Sequence, residues 1–139
     1  MLTSFLLVFQ TASTPVTPHA DLWIPECRQV LSSEGPRGYR TCARAALRER
    51  EFQMELREEE YRELLQASDR SAALSRFQGD RQTFIAYRQS HCDYFAKEFG
   101  RVPVLEANRW LSCQYHLTDR RVAELNSMIV LFNPIMDEP

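Results

Sequence analysis

The chain has 139 residues, 44% hydrophobic and 26% charged, with a formal net charge of −2. That balance suits one folded domain, argues against a disordered chain, and supplies no global basic field for nucleic acid. Only four glycines and seven prolines occur. Most of the prolines lie near the two ends, so the interior is free to be helical.

Phe5 to Phe9 (FLLVF) is a short apolar run, and Thr11-Ala12-Ser13 supplies small residues for cleavage. The shape is that of a secretory signal peptide, without the usual Lys or Arg ahead of the run. The run is too short to span a bilayer. Pro15, Pro18 and Pro25 then mark an extended linker. The expected organisation is a signal-like segment and linker over 1–25, a helical domain over 26–132 and a flexible tail over 133–139. The residues ahead of Cys27 do not form a lipidation pattern, so no lipid anchor is expected.

Cys27 to Leu31 suits one short helical turn. Ser32 to Pro36 then reads as a turn and helix start, with a Ser cap and Pro in the first turn. From Arg37 to Ala67 the composition is Ala, Leu, Arg, Glu and Gln, all good helix formers. Cys42, Ala46, Leu47, Met54, Tyr61, Leu64 and Leu65 form an apolar stripe on it. Phe52 and Leu56 fall on another side and face a second helix or a partner. Glu58 with Arg62 and Arg48 with Glu51 are local pairs, each worth a few tenths of a kcal/mol. The charge run reads first as a solvated face and second as a docking surface for a basic partner.

Asp69 and Ser71 break this helix and cap the next, predicted over 72–95. Leu74, Phe77, Phe84, Ile85, Arg88, Cys92 and Phe95 keep a 3.6-residue period there. Gly79 inside it costs about 1 kcal/mol relative to Ala, which a close helix crossing would explain. Gly100 to Pro103 reads as a turn with a C-cap glycine. The third helix is predicted over 104–128, with Leu105, Trp110, Leu111, Cys113, Leu117, Leu125 and Met128 as its apolar positions. The fold class is therefore all-α: three main helices in an antiparallel bundle.

Cys27, Cys42, Cys92 and Cys113 make an even set. In an exported protein this is a disulfide framework with three possible connectivities; in the cytosol it would suggest metal or redox chemistry. The signal-like start favours export. The expected pairs are Cys27–Cys42, closing an N-terminal loop, and Cys92–Cys113, stapling the second helix to the third. Each closure is worth about 3 kcal/mol. A zinc cluster of His91, Cys92, Cys113 and His116 is the alternative. It lacks the recurring short Cys-x2-4-Cys spacing and leaves Cys27 and Cys42 over.

No convergent acid, base and nucleophile set is visible. The histidines are His19, His91 and His116, and Ser90, His91 and Cys92 point different ways on a helix. Neither an enzyme nor a cofactor is indicated. Arg88 and Arg121 lie on apolar sides, where they either meet a partner's carboxylates or are satisfied within the fold. The second is favoured, since a buried charge must be paired. Tyr61, Tyr87 and Trp110 read as core aromatics with polar tips.

Two stretches carry a resemblance. In FIAYRQSHC, an aromatic precedes Tyr87-Arg88 and then Cys92. In CQYHLTDRRVAEL, Cys113 precedes Thr118, Arg121 and Leu125. With Cys27, Cys42 and Tyr61-x-x-Leu64 upstream, the chain resembles the LprI-type lysozyme inhibitors, small exported bacterial helical domains. It differs in carrying Phe84 where Trp is usual, and Arg57-Glu58 in place of a Leu-Asn pair. The resemblance implies a periplasmic or secreted protein that binds lysozyme. The rival reading is an envelope interaction module without lysozyme activity, docking on another envelope protein through Phe52 and Leu56. An acidic segment containing Glu55, Glu58 and Glu59 suits a basic lysozyme. Arg88, Arg121 or a loop arginine such as Arg101 suits the carboxylates of its cleft.

Overall fold

The computed structural model describes residues 23–132. The signal-like run, most of the linker and the tail lie outside them. A 3-10 turn at Pro25–Cys27 leads into α1 (Arg28–Ala67), followed by α2 (Ser71–Gly100) and α3 (Pro103–Phe132). No strand occurs among the described residues. α2 runs antiparallel to the other two, as the short connections require. α3 lies between α1 and α2 and packs along both, while α1 and α2 approach each other much less.

The first helix begins earlier than its sequence suggests. It starts at Arg28 and kinks at Gly35, whose φ of 74° and ψ of −166° are non-helical. Those angles fall in a region essentially reserved for glycine. Pro36 follows, with no N–H to continue the ladder. The kink is fastened to α3: the fully buried Asn108 donates from Nδ2 to the Pro36 carbonyl at 3.0 Å.

α1 ends in a Schellman arrangement. Arg70 N–H bonds to the Leu65 carbonyl and Asp69 N–H to that of Gln66, each at 3.1 Å, with Asp69 at φ 54°. Asp69 therefore breaks the helix as expected, since a short polar side chain tolerates this conformation. Ser71 does not cap α2. The N-cap is Arg70, without a side-chain cap bond.

The turn between α2 and α3 also differs from expectation. Gly100 is the last residue of α2, and the left-handed position belongs to Arg101, at φ 63° and ψ −39°. Gly100 is needed for contact instead: a Cβ there would sit 2.5 Å from the Glu106 Cα. Gly79 has open space around its Cα, so no helix crossing explains it.

Two apolar clusters form the core. The upper one gathers Ile24, Cys27, Tyr39, Ala43, Leu47, Leu111 and Tyr115. The lower one gathers Met54, Leu65, Phe77, Val122 and Leu125. The disulfides are Cys27–Cys42 and Cys92–Cys113, the expected pairs. The first sits in the upper cluster; the second ties α2 to α3, as the sequence suggested. With all four thiols bonded, the alternative zinc cluster has no thiolates. His91 instead stacks on Tyr87, and His116 Nε2 lies 3.3 Å from the Trp23 carbonyl.

Candidate functional site

Between the two apolar clusters runs a polar layer, and most of the residues singled out from sequence lie in it. Arg88 donates to the Thr118 hydroxyl at 2.7 Å and pairs with Glu51 at 3.5 Å. Thr118 in turn donates to the Gln114 carbonyl at 2.7 Å, and Gln114 donates to the Arg88 carbonyl at 3.4 Å. Arg121 is 5% exposed, pairs with Asp80 at 2.7 Å, and lies over the Phe84 ring at 5.2 Å. Glu58, 1% exposed, is ion-paired with Arg81. These groups hold three helices together, because a charge taken out of water must find a partner. Arg88, Arg121 and Glu58 are therefore internal ties, although each was also a candidate for contacting a partner.

Glu55 and Glu59 are exposed. They share the outer face of α1 with Glu63, Phe52 (54% exposed) and Leu56 (46%). The spacing of residues 52, 55, 56, 59 and 63 puts all five on one stripe. Glu59 holds Arg62 at 3.1 Å. The stripe is thus acidic with two apolar side chains, of a kind that suits a basic protein surface.

The α2–α3 turn forms the second exposed feature. Val102 N–H bonds back to the Gly100 carbonyl at 2.8 Å. This closes a γ-turn with Arg101 at its centre, in the rarer positive-φ form, which is strained. Arg101 is exposed, flanked by Phe99 (44% exposed) and Val102 (46%). Phe99 rests against Phe95, ring centroids 4.9 Å apart. A cation between two apolar side chains is thereby held at the end of the bundle where α2 meets α3.

Tyr87, read from sequence as a core aromatic, is 53% exposed, and Ile85 is 36% exposed. Tyr87 lies at the edge of the side of α2 that faces α3, in a cleft shared with Leu117 and Arg120. Trp110 is half-buried, and its indole N–H donates to Asp93 at 2.9 Å.

Sequence reasoning missed a groove of about 460 Å³ where all three helices meet, near the turn. It is lined by Arg40 and Arg44 of α1, Lys97 of α2 and Trp110 of α3, among others. These residues are scattered in sequence, and only the packing collects them. Among the described residues no group of three or more His, Cys, Asp or Glu could hold a metal ion. No described helix is long and apolar enough to cross a membrane.

Comparison with curated proteins and with solved structures finds no match. A family model described as Lysozyme inhibitor LprI matches residues 27–125. The match begins at the first disulfide cysteine, ends at the buried Leu125, and takes in the whole polar layer. On that evidence the chain belongs to the LprI lysozyme inhibitor family.

Proposed function

We propose that this protein is exported, binds lysozyme and inhibits it by obstructing the substrate cleft. The family match across most of the chain carries the reading. Two disulfides fit an exported protein, periplasmic or secreted. An inhibitor family favours a binding protein over an enzyme.

Position and charge favour particular surfaces. A cleft is blocked by a segment that can enter it, and the turn at Phe99–Val102 joins two helices at one end of the bundle and carries an exposed cation. Lysozyme's cleft holds two carboxylates, for which Arg101 is a chemical match. Arg88 is unsuited to that role, being bonded to Thr118 and Glu51 inside the bundle. The acidic stripe around Glu55 and Glu59 would attract a basic lysozyme during encounter.

A second reading is an envelope interaction module without lysozyme activity. It is favoured by Phe52 and Leu56, two exposed apolar side chains one helical turn apart. Lysozyme activity on cell walls separates the two. Titration with the oxidised protein should give stoichiometric inhibition that disappears on disulfide reduction. No inhibition of either c-type or g-type lysozyme would overturn the first reading and support the second.

A further inference from the structure

The groove beside Trp110 has properties that lysozyme binding does not use. It is concave, so it cannot enter another protein's cleft. Its volume of about 460 Å³ falls within the roughly 300–1,000 Å³ typical of small-molecule sites. Its floor is apolar, with Ala96, Ala107, Leu111 and the indole of Trp110.

The groove is lined by three cations, Arg40, Arg44 and Lys97, against two carboxylates, Asp93 and Glu106. Arg40, Arg44 and Lys97, from two different helices, line the groove without a carboxylate partner among the described residues. The Nε of Arg40 is buried and has no hydrogen-bond partner. Asp93 also lines the groove but is occupied, accepting from Trp110 and, through both its oxygens, from Gln89 at 3.0 and 3.1 Å. Glu106 is the remaining carboxylate. The rim therefore carries an excess of uncommitted positive charge over an apolar floor.

From this juxtaposition we propose that the groove binds a small single-chain anionic amphiphile. Its alkyl or acyl chain lies against Trp110, Leu111 and the two alanines. Its phosphate or carboxylate head is held by Arg40, Arg44 and Lys97. Both halves are needed: an apolar chain alone leaves the cations unpaired, and an anion alone leaves the floor wet. This inference stands on the groove alone and does not depend on lysozyme inhibition.

The test uses the oxidised full chain and dodecyl phosphate below its micelle concentration, followed by calorimetry. Saturable binding at one site per chain is expected. Dodecanol and inorganic phosphate should each bind at least about tenfold more weakly, each lacking one half of the interaction. Arg44→Glu and Lys97→Glu, both at exposed positions, should weaken dodecyl phosphate by a similar factor with the helical circular dichroism intact. Three outcomes would each overturn the proposal. Dodecanol binding as tightly as dodecyl phosphate would mean a general greasy contact. Inorganic phosphate binding as tightly would mean an anion site only. A stronger response to an acidic, aromatic peptide than to the amphiphile would make the groove a protein-docking site.

Discussion

Glu58, Glu59 and Glu60 are neighbours of identical chemistry with different structural roles. Glu58 is 1% exposed and paired with Arg81; Glu59 is exposed, and Glu60 holds Arg57 at 2.8 Å on the surface. Helical phase makes the difference. Met54, Glu58, Tyr61 and Leu65 follow steps of four, three and four, the period of the buried face. The phase was readable from sequence, but composition drew attention to the acidic run as a block. Glu58→Ala should destabilise by about 2 kcal/mol, since it strips a buried ion pair of one partner. Glu59→Ala should change stability by less than about 0.5 kcal/mol, because exposed pairs contribute little. Urea unfolding of the two variants checks the contrast.

Tyr39 shows what periodicity alone did not locate. It is fully buried, accepts a hydrogen bond from the Ile24 N–H at 2.9 Å, and is hydrogen-bonded to the Ser112 hydroxyl at 2.5 Å. It lies just inside the kink, where the sequence was read as a helix start. Burial raises its pKa, against the opposing pull of the bonds to Ile24 and Ser112. Folded protein therefore keeps the phenol proton more tightly than unfolded protein. The associated stability is present below the ordinary tyrosine pKa of about 10 and is lost as pH rises beyond it. Tyr115, also raised chiefly by burial, acts in the same direction. Denaturant midpoints measured from pH 8 to 11 should fall above about pH 10, and Tyr39→Phe should flatten part of that fall.

At the scale of elements, the helices were legible because Ala, Leu, Arg, Glu and Gln runs lacked breakers. The cysteine pairing followed from which helices the cysteines occupied. The place of α3 was not legible. Ser112, Gln114 and Thr118 are buried polar residues, which a one-sided apolar pattern reads as solvent-facing. They are buried because α3 has a neighbour on each side, a tertiary fact. The same limit applies to the turn ends: sequence assigned the left-handed position to Gly100, whereas close approach to Glu106 consumes that glycine. Gly79 offers a control, since it lies within α2 with open space at its Cα. Gly79→Ala should stabilise by about 0.5–1 kcal/mol, read as a higher Tm.

Across the whole molecule, internal and external charge have separate uses. The polar layer ties α1, α2 and α3 together through Glu58–Arg81, Arg88–Glu51 and Arg121–Asp80. The acidic stripe, the cationic turn and the groove take no part in these ties. This division explains why the residues that mark the family are poor candidates for direct contact: Arg88, Cys92, Cys113, Thr118 and Arg121 are inside the bundle or in contact across it. Sequence markers of this kind report the fold rather than a binding surface.

Obstruction of lysozyme by the turn carrying Arg101, as proposed above, is tested at Arg101 itself. Arg101 occupies a positive-φ conformation that glycine adopts without strain. The most direct measurement is therefore a comparison of lysozyme inhibition and thermal unfolding for the native chain and Arg101→Gly. The account predicts a variant more stable by about 1 kcal/mol and weaker as an inhibitor by at least about tenfold. A variant that inhibits lysozyme as well as the native chain does would contradict it and move the binding site away from the turn.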